Sequence, residues 1–521
     1  LKEVSIHHTR EVQRSRYLRH FNLKYMKHYI YIILIGLAFS SCKKFLDVQP
    51  ESDVTKEDLF KTEEGFKEAL NGVYNLNAEK SLYGENLTFG NLDIMAQNYD
   101  FTDPDARKVQ SFQYEDQFLI SKNDEIWASA YKAIGNINSI LEAVEKNKGV
   151  LFDKNYELIE GEALTLRAYL HFDLLRMFAP SFVSKPDAVA IPYVTIVSIK
   201  STPFSTTTEV LNKIIADLTE AKQLLKVADP ILSAGYIVGY PDKTYPNDFP
   251  EAMKSTETSS NSLFLQNRRH RMNYYTVCGE LARAYLYKGD MVNSLANAKE
   301  VIDSGKFPWT KQEDFFSSNS QQRDKVFYPE IITGWYVPQS QELLNRLFSN
   351  DNPSNAPTIT QKEFIYEKGS VGAEDWRFRQ WFRDVPVNNA PGRSLVQKYT
   401  WNGTPQRNMH PTVAPAMRLS EMYYIAAEAT FDTDPIKATA YVDSVRFHRG
   451  IGVALPKTIA KPDFIRKLAE EARKEFYGES QIFYMYKRLN RDVINTNGMV
   501  YPASDKIFVF PLPLDELAYR N

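Results

Sequence analysis

Along most of the chain, apolar residues recur with the 3.6-residue period of amphipathic helices, and the interruptions show how these helices pair. Thr55-Lys-Glu-Asp58 has the form of a helix-capping box without its ideal acidic position, and Phe60, Phe66, Leu70, Val73 and Tyr74 follow at helical spacing. Trp127, Tyr131, Ile134, Ile137, Asn138 and Leu141 repeat the pattern. Glu162 to Phe178 is apolar all round, which predicts a buried helix, and Pro180 predicts its end. That helix and Glu209–Leu225 make a first pair. The clearest hairpin spans Met272 to Gly305: Leu281, Ala282 and Tyr285 precede Gly289-Asp290, and Leu295, Ala298, Val301 and Ile302 follow. Gly289 suits a left-handed helix end and Asp290 the next N-cap, while Ala282 and Ala298 allow close approach. A further hairpin is predicted at Arg418–Arg449, with Asp434 as cap and Pro435 opening the second helix.

The links between these pairs differ in length, and no 34-residue period runs through the chain, so the predicted array is irregular. Residues 229–262 are rich in Pro, Ser, Thr and Asn, while 306–415 mix aromatics with short β-like runs such as Glu330–Val337. Long loops inside a compact fold are usually functional, so the ligand-facing part is expected around 306–415. The predicted class is mainly α: a tetratricopeptide-like scaffold of helical hairpins around 162–225, 272–305 and 417–449, with a loop-rich insertion carrying short β segments.

The N-terminal pattern is of another kind. From Met26 the sequence runs Lys27-His28, the apolar stretch Tyr29 to Phe39, then Ser40-Ser41 and Cys42. Those eleven apolar residues fit a secretory segment and fall short of the roughly 20 that a spanning helix needs. Small residues before a Cys resemble a bacterial lipobox, so 26–41 is expected to be a lipoprotein signal peptide and Cys42 the acylated first residue of the mature protein, anchored in a lipid bilayer. Residues 1–25 are expected to be an upstream extension, leaving 42–521 as one domain.

Charge and composition narrow the function. The first 41 residues carry seven Lys or Arg against two Glu, so the remainder holds 56 basic and 63 acidic residues, with no global attraction to nucleic acid. Cys278 is the only cysteine besides Cys42, and His171, His270, His410 and His448 are scattered, so neither a disulfide, nor a metal cluster, nor any cofactor site is predicted. Glu421 and Glu428 share a helix face, and Glu470, Glu471 and Glu475 could supply an acid/base pair, but Arg418, Arg446, Arg473 and Lys474 nearby favour ion pairing. No G-x-S-x-G, H-E-x-x-H or phosphate-binding glycine loop is present.

Several motifs, in order, carry a resemblance: Cys42-Lys-Lys-Phe-Leu-Asp47; Asn71-Gly-Val-Tyr74; Arg167-Ala-Tyr-Leu-His-Phe-Asp-Leu174; Ala282-Arg-Ala-Tyr-Leu-Tyr287 with Gly289-Asp290; Arg418-Leu-Ser-Glu-Met-Tyr423; Glu475-Phe-Tyr-Gly-Glu479; and Phe510-Pro-Leu-Pro513. In this order they resemble the SusD/RagB family of outer-membrane nutrient-binding lipoproteins of Bacteroidetes. Ala472 stands where an Arg is often found, and Glu475-Phe-Tyr-Gly478 only approaches the usual motif. The resemblance implies a non-catalytic protein on the outer face of the outer membrane. It would capture a polysaccharide, oligosaccharide or peptide and pass it to a SusC-like TonB-dependent transporter barrel. A surface glycoside hydrolase and a repeat scaffold binding only protein or peptide are the alternatives.

Sugar rings expose C–H faces, so a capture site wants aromatic platforms with amide, carboxylate or guanidinium groups for the hydroxyls. The expected ligand-binding residues are Asn98, Tyr99, Asp100 and Phe101 in one loop and Trp335, Tyr336, Trp381 and Trp401 in the other. Trp335 and Tyr336 adjoin a β-like run, where one of two neighbours points inward.

Overall fold

The computed structural model describes residues 55–101, 103–240, 255–338, 356–387, 390–399, 410 and 413–518. Cys42 and Trp401 therefore lie outside the described residues. Residues 1–59 form one unit and 60–521 another. Of the first, the described part is a short turn, Lys56–Leu59, whose Asp58 amide donates to Thr55 Oγ1 at 3.1 Å. Thr55 thus caps its own turn. The longer helix starts afresh with Thr62 as N-cap, because Thr62 Oγ1 takes the amide of Gly65.

The main unit is a row of antiparallel helices. Helix α1 (Glu63–Asn77) packs on α2 (Gln117–Lys146), α2 on α3 (Asn155–Phe178), and α3 on α4 (Thr207–Ala228). Helix α5 (Tyr274–Lys288) follows against α4, then α6 (Met291–Asp303), α7 (Leu419–Thr430) and α8 (Pro435–Phe447). Every residue of α3 from Leu158 to Phe178 is buried, as its all-round apolar pattern requires. Among the α3/α4 contacts, Gly161 meets Leu225 so closely that an added Cβ would lie 2.7 Å from its Cγ. Arg167 of α3 pairs with Asp217 of α4 through Nε and Nη2 at 2.7 and 2.9 Å, and its Nη1 reaches Asn138 of α2 at 3.1 Å.

The sequence signals at the hairpin corners act as expected. Gly289 closes α5 with φ +81°, a left-handed conformation that costs glycine little. Asp290 Oδ1 accepts the Asn293 amide at 3.1 Å to open α6, and Asp434 with Pro435 does the same for α8. Helix α9 (Lys461–Glu475) packs on α7 and α10 (Gln481–Arg488) on α9.

Short antiparallel strand pairs complete the described fold. Strand β1 (Ile331–Tyr336) pairs with β4 (Val413–Arg418), which runs straight into α7; β2 (Phe382–Val387) pairs with β3 (Ala390–Val396). In the β1/β4 register Trp335 faces Ala414 and Tyr336 faces Val413. Among the described residues no helix is long and apolar enough to cross a membrane.

Candidate functional site

A groove of about 640 Å³ opens where α1, the segment before α5, and the end of β1 meet. From α1 come Asn71, Tyr74 and Asn75, which share a face at helical spacing. The segment before α5 supplies Asn267, His270 and Arg271. Asn267 adopts a left-handed conformation (φ 49°), which asparagine tolerates better than most residues. After it, Arg268 and Arg269 turn inward to buried carboxylates: Arg268 to Glu162 at 2.6 Å and Asp229 at 3.0 Å, Arg269 to Glu257 at 2.6 Å. His270 and Arg271 are left lining the groove.

Arg271 is held on several sides. Its Nε donates to both carboxylate oxygens of Glu162 at 3.1 and 2.9 Å, and its Nη1 to Asn71 Oδ1 at 2.8 Å. The guanidinium lies over the rings of Tyr74 (4.7 Å) and Phe264 (4.5 Å). Its Nη2 is buried with no hydrogen-bond partner. Beneath it, burial works to raise the Glu162 carboxyl, but Arg268 and Arg271 outweigh that and hold it below the usual carboxylate range. The Tyr74 hydroxyl donates to Glu162 at 2.6 Å, and burial, then the carboxylate charge, push its pKa well up.

On the β1 side the adjacent aromatics divide as a strand demands. Trp335 is 2% exposed, stacked on Tyr83 at 4.4 Å and edge-on to Tyr169, with its Nε1–H unpartnered. Tyr336 is 54% exposed, with His270 edge-on at 5.9 Å. His270 Nδ1 lies 3.1 Å from the Gly334 carbonyl oxygen, and His410 stacks on Tyr328 at 3.7 Å. Burial, then the charge of Arg269, lower both histidines below their ordinary range. Near neutral pH, Arg271 is therefore the one charged side chain among the described groove residues. A buried donor left unpaired costs about 1–3 kcal/mol, so two at one groove mark a place where the fold is not self-satisfied.

Among the other expected binding residues that the structure describes, Asn98, Tyr99, Phe101 and Trp381 are enclosed by protein and Asp100 is half-buried. Asn98 is buried, and its Oδ1 accepts from Arg473 Nε at 2.7 Å. Tyr99 is buried with its hydroxyl on Asp93, and Phe101 packs against it with ring centres 5.4 Å apart. Asp100 accepts from Arg393 at 2.7 Å. Trp381 is fully buried; its indole N–H donates to the Lys325 carbonyl at 2.7 Å, and Lys398 sits over its ring at 4.4 Å. Thus neither Tyr99, Phe101 nor Trp381 presents an open ring face. Tyr99 and Trp381 are each drawn inward by a buried hydrogen-bond partner and Phe101 by the Tyr99 ring, and loop position alone did not reveal that.

Residues absent from the expected set line the groove instead: Asn71, Asn75, Gln266, Asn267, His270 and Arg271. The Asn71-Gly-Val-Tyr74 motif and the run Arg268-Arg-His-Arg271 were the available signals. The carboxylates considered for catalysis are engaged, Glu421 with Arg283 at 2.6 Å, Glu428 with Arg488 at 2.7 Å and Glu470 with Arg466 at 2.9 Å. Among the described residues no cluster of three or more His, Cys, Asp or Glu is placed to hold a metal ion.

Comparison with known proteins agrees with this architecture. A family model described as starch-binding, associating with the outer membrane, matches residues 44–229, and the SusD family model matches residues 251–511. A SusD-like protein of Formosa agariphila is 21% identical over 514 residues, spanning 92% of this chain and 95% of its own. Among solved structures, a SusD superfamily protein from Bacteroides thetaiotaomicron superposes with a TM-score of 0.64 at 18% identity, covering 88% of this chain and 98% of its own. A SusD-like carbohydrate binding protein from Bacteroides vulgatus gives 0.64 at 18% identity, covering 88% and 96%. The helical-hairpin scaffold, the order of the motifs and both matches along the chain give one result: this protein belongs to the SusD family.

Proposed function

We propose that the protein captures a glycan at the bacterial surface, in the groove between α1 and β1, and hands it on unaltered. The observation that carries this reading is the half-exposed ring of Tyr336 beside the amides of Asn71, Asn75, Gln266 and Asn267. An aromatic face for sugar C–H groups flanked by amides for hydroxyls is the chemistry a carbohydrate site needs. The family description as starch-binding and outer-membrane-associating, and the carbohydrate-binding relative, support the same class.

In this reading Cys42 is acylated and tethers residues 42–521 to the outer membrane, and a TonB-dependent barrel is the partner that receives the glycan. Capture without turnover fits the engagement of Glu421 and Glu428 with arginines, which leaves them paired rather than poised for proton transfer. The test is calorimetric titration of the full-length protein in detergent micelles with a panel of polysaccharides and oligosaccharides, followed by analysis of the recovered ligand. Saturable binding to a glycan that remains intact, weakened in Tyr336→Ala, is the expected result. Cleavage of the ligand would establish a hydrolase, and binding confined to peptides would move the groove to another ligand class.

A further inference from the structure

We infer that the groove is built for an acidic sugar, one bearing an acceptor-only anionic substituent such as a uronate carboxylate or a sulfate ester, with Arg271 as the group that reads it. This rests on the glycan-capture reading above and deepens it. Among the described residues the groove wall carries one formal charge, that of Arg271, and no carboxylate. A neutral sugar hydroxyl both donates and accepts, and an amide or a carboxylate can take its proton, whereas an anionic substituent can use only donors. Here the one carboxylate on Arg271, Glu162, lies beneath the wall and is shared with Arg268 and Tyr74, and the wall itself offers neutral acceptors.

The guanidinium is also set in one orientation. Tyr74 and Phe264 lie against it at 4.7 and 4.5 Å, while Glu162 takes Nε and Asn71 takes Nη1. Glu162 is shared, since Arg268 at 2.6 Å and the Tyr74 hydroxyl draw on the same carboxylate. Nη2 is left over, a charged donor shielded from bulk water and unpartnered. The second orphan donor among the groove residues is Trp335 Nε1, on a side chain 2% exposed. Indole donates and cannot accept, as guanidinium does. Two uncompensated donors, one of them cationic, suit a group that only accepts, and charge-assisted hydrogen bonds to an anion are the stronger kind. An acidic sugar fits these surfaces: its ring lies on Tyr336, its hydroxyls meet the amides, and its anionic substituent lies against Arg271.

The experiment compares each acidic glycan with its own neutralised form on the full-length protein in micelles. The probes are polygalacturonate with its carboxyl-reduced counterpart, and chondroitin sulfate with desulfated and carboxyl-reduced derivatives, at low and high salt. The expected result is at least about tenfold tighter binding of an acidic form than of the matching neutral one, narrowing as salt rises and in Arg271→Gln. Preference that survives desulfation and vanishes on carboxyl reduction assigns the uronate, and the reverse pattern assigns the sulfate. Equal or tighter binding of neutral forms, still dependent on Tyr336, overturns the inference and leaves glycan capture standing. Failure of acidic and neutral glycans alike overturns both. Because the contrast lies in the ligand, it decides the matter even where Arg271→Gln impairs folding.

Discussion

Arg449 and Arg271 are both guanidiniums laid over aromatic rings, Arg449 at 3.6 Å from the centre of Phe327 and Arg271 at 4.7 Å from that of Tyr74, but their nitrogens end differently. Around Glu475, at the end of α9, the pairing is complete. Arg449 uses Nε and Nη2 on Glu475 at 3.0 and 2.7 Å and Nη1 and Nη2 on Glu330 at 3.0 and 2.5 Å. Arg418 spends Nε on Glu479 at 3.0 Å, and Arg377 reaches Glu475 at 2.8 Å. All these side chains are buried, and the cluster joins β4, α9 and the segment before β1. At the groove, Arg271 leaves one nitrogen unmatched. The same residue type thus ends in two ways: every nitrogen of Arg449 is matched within the interior network, while Arg271 keeps one over at the groove proposed to take the ligand.

The comparison breaks most easily at Glu475. Burial works to raise its carboxyl, yet Arg449 and Arg418 beside it hold it well below the usual range, so it stays charged among three guanidiniums. Removing one partner of a buried pair strands the others, at a cost of about 3–5 kcal/mol. Glu475→Gln should lose that much in denaturant unfolding, whereas Arg271→Gln, which leaves Glu162 with Arg268 and Tyr74, should lose far less. Similar losses in the two variants would mean that the groove arginine is as structural as the interior ones.

Trp335 and Tyr336 give the next contrast, between neighbours on one strand. Trp335→Ala empties a site packed by Tyr83 and Tyr169 and should cost about 3–5 kcal/mol of stability. Tyr336→Ala should leave stability within about 0.5 kcal/mol and weaken glycan binding about three- to tenfold, the worth of an aromatic face. Thermal melts and titrations on both variants check this. A stability loss in Tyr336→Ala as large as in Trp335→Ala would remove the ground for calling Tyr336 a platform.

A third test uses acid. The Glu471 carboxyl, which burial works to raise, is pulled down to about 2 by Lys474, Arg377 and Arg446. Its folded value lies below the ordinary 4.5, so its stabilisation is fully present above about pH 4.5 and is lost as pH falls toward 2. Urea midpoints at pH 5 and pH 3 should therefore drop more in the wild type than in Glu471→Gln. Parallel drops would show that Glu471 does not titrate within this network.

The sequence showed the scaffold more clearly than the site, and particular residues explain why. Gly289-Asp290 and Asp434-Pro435 act through their own backbone and the next turn, so their effect is local and readable. The β-like run around Trp335 became β1, and Glu421 and Glu428 are ion-paired as expected, though with the distant Arg283 and Arg488 rather than with the basic residues nearby in sequence. Thr55 was harder, because Thr62 offers a second cap seven residues on and starts the longer helix. Tyr99 and Trp381 looked like loop platforms, but whether a loop aromatic faces in depends on partners distant in sequence, such as Lys325 beneath the Trp381 indole. The groove has the same difficulty. Asn71 and Arg271 are 200 positions apart, and no local pattern places them in contact.

The smallest effect tests how Arg271 is kept in place. Phe264 contributes one of the two rings against its guanidinium, at 4.5 Å, and is itself mostly buried. Phe264→Leu keeps an apolar side chain there and removes the ring quadrupole, so stability should change by less than about 1.5 kcal/mol. The lost cation–π contact is worth about 0.5–1 kcal/mol at such a partly exposed site, or roughly a two- to fivefold weaker Kd for an acidic glycan. The matching neutral glycan should bind Phe264→Leu as it binds the wild type, because Tyr336 and the amides are untouched. If both glycans weaken together, the ring shapes the groove as a whole; if only the acidic one does, the ring acts through the guanidinium it holds.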